Sequence, residues 1–281
     1  MRDDFAAFIL THGRPDRIYT IDTLRGAGYT GKIYIVIDDE DDTEQEYRKR
    51  YGDKVVQFCK LDIAKTFDVG DLSQERRTIV YARNACFEIA KKLGLKYFLE
   101  LDDDYTSFEY RYIQGEKLMV RKCKQLDRLF ETMLRFIDDT NALTVALSQG
   151  GDFIGGAKSK RYREKVTRKA MNTFFCRTDK PFTFVGRINE DVNTYTTLGM
   201  KGELILSITD ASIVQKQTQS NTGGMTDAYL DMGTYLKSFF TVMYCPSCVK
   251  VGAMGDKHMR IHHHIDWRRC VPKILNERHR K

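Results

Sequence analysis

The chain of 281 residues contains only 4 prolines, and no Pro-rich linker or internal repeat divides it. No domain boundary is marked, so one continuous domain over 1–281 is expected, its 1–105 and 106–281 halves doing different work. No apolar run approaches the roughly 18 residues of a membrane span. The longest, such as Phe239–Cys245, suit a strand or a core helix. The start Met1-Arg2-Asp3-Asp4 enters a short apolar run with no cleavage-site pattern, so a cytoplasmic protein with no membrane partner is expected. The 7 cysteines are odd in number and scattered, which does not suit a disulfide framework. Cys245-Pro-Ser-Cys248 has CxxC spacing without a second pair or a nearby histidine. Buried structural cysteines are expected there rather than zinc.

What is present is a globular composition, 42% hydrophobic and 30% charged, which excludes a disordered or fibrous chain. The net charge of +7 suits an anionic partner, and its placement says more. Lys158, Lys160, Arg161, Arg163, Lys165, Arg168 and Lys169 crowd one segment, while acids gather at Asp38–Asp42 and Asp102–Asp104. A basic segment of this density suits an anion or is a solvated face.

Strand and helix patterns alternate in the first half. Phe5–Leu10, Lys32–Ile37, Val55–Phe58 and Lys96–Leu101 read as strands. Helices are expected from Pro15 to about Ala27 and over Tyr81–Leu93. Apolar strands separated by helices argue an α/β fold with a mostly parallel central sheet flanked by helices. Further on, Gln125–Asp139 carries a strong apolar helical face, and Tyr229–Met243 reads as a helix. Leu143–Ser148, Met171–Cys176 and Leu204–Val214 read as strands. Gly150–Gly156 is a glycine-rich loop, and Gln215–Thr226 a long polar one.

Asp102, Asp103 and Asp104 follow an apolar strand, hence the carboxyl edge of a parallel sheet, where such folds bind ligands. Alternation along an extended segment would aim Asp102 and Asp104 at one ligand. Two carboxylates converge at low cost only around a cation, so Mn²⁺ or Mg²⁺ is expected, usually with a phosphate. Arg83, at the start of the preceding helix, suits phosphate. Thr11, His12 and Arg14 after the first strand, and Asp38 and Asp39 after the second, belong on the same edge. Glu190 and Asp191 either supply a general base or decorate a helix over Val192–Leu198 that Asn189 caps. On a strand, His262 and His264 share a face with Arg260 and Asp266, while His263 joins Ile261, Ile265 and Trp267. A neutral imidazole there could complete the shell begun by the aspartates.

The order of these features resembles GT-A glycosyltransferases, whose helix start Ala-Arg-Asn matches Ala82-Arg83-Asn84, whose DxD motif matches Asp102–Asp104, and whose acceptor-side acidic pair matches Glu190-Asp191. More narrowly, the chain is similar to phage glycosyltransferases encoded beside TET/JBP-type dioxygenases. The similarity lies in Thr11-His12-Gly13-Arg14-Pro15, Tyr81–Asn84, Leu101–Tyr105, Asn189-Glu190-Asp191, Val249-Lys250 and Met259–His263. It implies a GT-A fold and the transfer of a sugar, such as glucose from UDP-glucose, to 5-hydroxymethylcytosine in phage DNA within an infected cell.

The resemblance implies site residues as well. Asp102, Asp104 and His262 would hold the metal. Thr11, His12, Arg14, Asp38, Asp39, Arg83, Asn84, Asp102 and Asp103 would hold the nucleotide sugar. Asp191, with Glu190 beside it, would take the acceptor proton in an inverting displacement. Lys158, Lys160, Arg161, Arg163 and Lys165 would grip DNA phosphates. A transferase acting on protein, glycan or lipid, and a non-catalytic DNA-binding module on the same scaffold, are the alternatives. A nucleotidyltransferase has less support, because no glycine-rich loop with a lysine precedes the first helix.

Overall fold

The computed structural model describes residues 1–72, 75–216, 236–254 and 259–281. Strands β1 (Phe5–Leu10), β2 (Lys32–Asp38), β3 (Val55–Phe58) and β4 (Tyr97–Asp102) alternate with helices α1 (Tyr19–Gly26), α2 (Glu44–Tyr51), α3 (Lys60–Ala64) and α4 (Val80–Lys92). Then come β5 (Tyr105–Gln114), β6 (Lys117–Lys122), α5 (Leu126–Thr140), β7 (Thr144–Gln149), α6 (Lys160–Glu164), β8 (Val166–Thr167), β9 (Thr173–Arg177), α7 (Glu190–Met200) and β10 (Ile205–Gln215). A helix over 236–244, α8, leads to the hairpin β11 (Val249–Met254) and β12 (Arg260–Ile265), then α9 (Trp267–Cys270).

The large sheet has the order β3-β2-β1-β4-β9-β7-β10-β5-β6, with β8 beside β10. β3, β2, β1 and β4 pair in parallel, as do β7 and β10. Only β9 separates the two groups, running against both β4 and β7. This is the α/β class expected, because β1 to β4 are buried on both faces. Phe5, Ala7 and Ile9 enter one core with α5, and Ala6, Phe8 and Leu10 enter the other with α4. That alternation is the two-residue period of a strand covered by helices on each side. Truncating a buried aromatic such as Phe8 to Ala would cost about 3–5 kcal/mol.

Three expectations change. The first helix begins at Tyr19 rather than Pro15. The intervening loop is held by Tyr51 Oη donating to the Pro15 carbonyl (2.8 Å) and by Thr20 N–H donating to the Asp103 carbonyl (3.2 Å). These contacts outweigh proline's preference for a first helical turn. The segment 106–124, where no element is expected, forms the β5–β6 hairpin, which turns at Gly115 with φ +60°. The helix expected over Val192–Leu198 starts two residues earlier, so Glu190 and Asp191 are its first residues. Most of the Gln215–Thr226 loop and the first part of the expected Tyr229–Met243 helix lie outside the described residues.

Because β1, β2, β4, β7 and β10 share a direction, their carboxyl ends lie along one edge. Asp38, Asp102, Gln149 and Gln215 are the last residues of β2, β4, β7 and β10, and Thr11 directly follows β1. All of them line one cavity of about 920 Å³.

Candidate active site

The aspartate run is positioned by its backbone. β4 ends at Asp102 and the chain turns at Asp103 and Asp104, so strand alternation does not continue across the motif as expected. Thr20 Oγ donates to the Asp102 carbonyl (2.6 Å) and accepts from Tyr105 N–H (3.0 Å). The Asp103 carboxylate is turned toward β1, where Thr11 Oγ donates to it at 2.7 Å and Arg14 Nε lies at 3.4 Å. Asp102 and Asp104 both border the cavity, and among the described residues the buried Oδ1 of Asp104 has no hydrogen-bond partner. Burial, with Asp104 and Asp103 adding to it against Arg83, pushes the Asp102 carboxyl up to about 7. Burial and Asp103 push Asp104 up to about 6. Crowded, protonation-prone carboxylates with an orphaned oxygen are a donor set that a hard divalent cation would satisfy.

Arg83 sits in the first turn of α4, buried, over the rings of Phe174 (4.9 Å) and Phe184 (5.6 Å). Its guanidinium reaches Glu190 (3.1 Å), Glu100 (3.4 Å) and Asp102 (3.5 Å). Burial opposes its charge, but Asp102, Glu190 and Glu100 together hold it protonated. Glu100, fully buried, is pushed up to about 8 by desolvation against the pull of Arg83. Arg83 thus borders the cavity while its guanidinium ties together three acids, two of which are named in the motifs. Asn84 is turned away from the cavity: its side chain donates to the Phe184 carbonyl (3.0 Å) and accepts from Phe184 N–H (2.8 Å).

At the second strand, His12 Nδ1 lies 2.9 Å from Asp38, and Lys60 Nζ lies 2.9 Å from the other Asp38 oxygen. The hydrogen bond to Asp38 raises His12. Burial pushes Asp38 up, yet His12 and the Lys60 ammonium outweigh it and hold Asp38 low. Sequence reasoning missed Lys60, which is buried and follows a strand with no local motif. Asp39 does not border the cavity; it accepts from Lys60 N–H (2.8 Å) at the start of α3.

Glu190, Asp191, Tyr195 and Trp267 line the same cavity. Burial, reinforced by Glu190, pushes Asp191 up to about 7. Asn189 does not cap α7 with its side chain: it is left-handed (φ 54°), and its Nδ2 donates to the Lys237 carbonyl (2.7 Å). The basic segment divides. Arg161 and Lys169 border the cavity, both drawn in by buried Asp152 at 3.1 and 2.9 Å. Lys158, Lys160, Arg163 and Lys165 are exposed outside it, with Lys165 paired to Asp210 (2.5 Å) and Arg163 Nε donating to the Ala157 carbonyl (3.2 Å). Asp152 carried no sequence signal, because its partners lie nine and seventeen residues away.

The histidine run is a strand, β12, paired with β11. His262, His263 and His264 all border the cavity, so the expected split of faces does not keep His263 out of it. Burial and His262 push His263 down to about 4, so it is neutral, and among the described residues its buried Nδ1 has no partner. Trp267 stacks on Tyr195 (5.5 Å) beside the Arg161 guanidinium. Among the described residues, no three His, Cys, Asp or Glu side chains form a closed metal-binding group; Asp102, Asp104 and His262 border the same cavity without closing into one. Cys245 and Cys248 are buried with free thiols, their sulfurs 3.2 Å apart, and pack with Cys270. No helix among the described residues is long and apolar enough to cross a membrane.

Among solved structures, the chain is similar to glucosyl-3-phosphoglycerate synthase from Mycobacterium tuberculosis in complex with Mn²⁺, UDP and phosphoglyceric acid. The identity is 12% and the TM-score 0.44, over 93% of this chain and 86% of that one. The same enzyme with Mn²⁺, UDP-glucose and phosphoglyceric acid matches at 12% identity and TM-score 0.45, over 91% of this chain and 85% of that one. No curated protein matches the chain. The family model of the TET-associated glycosyltransferases matches residues 5–224, which takes in the aspartate run, Arg83, the basic segment and Glu190-Asp191. The chain belongs to the TET-associated glycosyltransferase family.

Proposed function

We propose that this glycosyltransferase moves glucose from UDP-glucose to the hydroxymethyl group of 5-hydroxymethylcytosine in phage DNA, with inversion, using Mn²⁺ or Mg²⁺. The observation that carries the reading is the cavity itself, which the Asp102–Asp104 edge and Asp191 both line, with Arg83 bridging Asp102 and Glu190, the residue before Asp191.

Asp102 and Asp104, with a neutral histidine of β12, His262 or His263, would hold the divalent ion. When bound, the ion would offset the charge of the departing diphosphate. Thr11 and Arg14 fix Asp103, and His12 and Lys60 fix Asp38, so the two loops present ordered acceptors to a ribose or base. Asp191 would accept the proton of the acceptor hydroxyl at its carboxylate oxygen, and a value near 7 suits a base working near neutrality. A carboxylate activating a hydroxyl on the face opposite the leaving group gives inversion. Arg161 would meet the acceptor at the cavity mouth, while Lys158, Lys160, Arg163 and Lys165 would meet phosphates outside it.

The test is incubation with hydroxymethylated DNA, Mn²⁺ and a panel of nucleotide sugars, followed by mass spectrometry of the digested nucleosides. A hexose added to 5-hydroxymethylcytosine is the expected result. Sugar transfer to a protein or glycan acceptor, with none to DNA, would replace this reading.

A further inference from the structure

The loop between β7 and α6 joins a rigid mount to an exposed apolar tip. Gln149 and Asp152 cap each other's backbone across the first turn, Gly150–Phe153. The buried Asp152 carboxylate also holds Arg161 and Lys169, and Ser159 Oγ donates to the Asp152 carbonyl (3.1 Å). Phe153 packs into the protein beneath the Arg111 guanidinium (4.6 Å) and near the Tyr162 ring (6.3 Å). The next residue, Ile154, is 81% exposed. Gly155 and Gly156 then turn the chain back with φ +94° and +57°, a conformation that side chains with a Cβ rarely adopt.

A single exposed apolar residue is ordinary on a protein surface. This one is distinguished by its place. Gln149 and Gly151, at the root of the same loop, border the cavity, and exposed Lys158 and Lys160 follow the tip. An apolar tip between a cavity mouth and a pair of cations matches a duplex, whose stacked bases lie between charged backbones. A base reacting inside a pocket must leave the stack, and unstacking costs a few kcal/mol. Apolar side chains inserted at a base step offset that cost. Ile154 is stiff at χ1, so little rotamer freedom is lost on insertion.

We propose that Ile154 is a wedge that enters the DNA duplex and occupies the gap left by the nucleotide extruded toward Asp191. This inference rests on the DNA reading above. A single strand has no stack to replace, so the wedge acts on duplex substrate alone.

The experiment compares wild type, Ile154→Ala, Ile154→Ser and Ile154→Leu on hydroxymethylated duplex and on the same single strand, with 2-aminopurine beside the target base. Ile154→Ala and Ile154→Ser should lower kcat/KM on duplex by about tenfold, weaken the 2-aminopurine signal, and leave single-strand transfer as it was. Ile154→Leu should retain most duplex activity. Equal losses on both substrates, or no loss on duplex, would overturn the wedge while leaving DNA glycosylation standing. A wild-type protein that transfers sugar elsewhere but to neither form of DNA would overturn the DNA reading and the wedge with it.

Discussion

Arg83 Nε donates to Glu190 Oε1 at 3.1 Å, across 107 positions of sequence. The same guanidinium reaches Asp102, so one side chain fixes the aspartate edge relative to the helix that carries Asp191. Removing a buried partner leaves charges uncompensated, so Arg83→Met should lower stability by about 3–5 kcal/mol at neutral pH, read from urea midpoints. Arg83→Lys should recover little, because an ammonium cannot span three acids as a planar fork does. The loss should shrink at pH 5, where Asp102, at about 7 even beside Arg83, carries a proton; Glu100, at about 8, is already protonated at neutral pH.

The acid cluster sets a pH dependence in chelator-treated protein. Glu100, Asp102, Asp104 and Asp191 stand at about 8, 7, 6 and 7, all above the ordinary carboxylate value of roughly 4. The folded state therefore binds more protons than the unfolded one between these limits. Their contribution is fully present below about pH 4 and is lost as pH rises through 6 to 8. Denaturant midpoints in EDTA should fall across that window. Mn²⁺ should raise the midpoint more at pH 8 than at pH 5, and equal shifts at both would place the ion elsewhere.

Much of this site was legible because parallel strands end in the chemistry they present. Asp102–Asp104, Asp38 and Thr11 follow apolar runs, and the sheet then brings them to one edge. Asp191 and the histidines border the same cavity. Lys60 and Asp152 were not legible, because each acts through partners distant in sequence and carries no periodic pattern. Asn84 and Asp39 looked like ligand contacts, yet bind backbone at Phe184 and Lys60 instead. A polar residue next to a motif can satisfy the fold rather than a ligand, and only the folded neighbours distinguish the two. The β5–β6 hairpin escaped notice because β6 is largely exposed and its residues alternate weakly.

Asp104→Asn separates function from folding. It removes one charge from a crowded pair and almost no volume. Metal-dependent turnover should fall by about 10³-fold, in line with a metal contribution of several kcal/mol. Chelator-treated protein should become no less stable, because repulsion with Asp103 and Asp102 is relieved. A variant that unfolds would make Asp104 a structural residue instead.

Asp191→Asn should lower kcat by about 10²–10⁴-fold, the range for loss of a general base. In metal-saturated wild type, kcat/KM should rise with pH through a value near 7, as the Asp191 carboxyl loses its proton. The variant should lose that limb while still binding UDP, because the residues proposed for the nucleotide, Thr11, Arg14 and Asp38, are untouched by the substitution. A limb that persists unchanged would assign the base to another group.

The divided basic segment gives the last test. Arg161 is held at the cavity by Asp152, whereas Lys158 and Lys160 are exposed outside it. Phosphate contacts release counterions, so log affinity for duplex should fall with log salt by roughly 0.9 for each phosphate neutralised. The double variant Lys158→Ala, Lys160→Ala should flatten that slope by up to about 2 and weaken binding to all sequences alike. Arg161→Ala should act differently, because its guanidinium lies over the Trp267 ring (5.3 Å) and lines the cavity that Asp191 also borders. Its main effect should be on turnover of bound DNA, with a smaller change in salt slope. Fluorescence anisotropy across a salt series measures the first, and single-turnover transfer the second. If the lysine pair leaves the slope unchanged, Lys158 and Lys160 make no phosphate contact, and the DNA contact moves to another face or falls away.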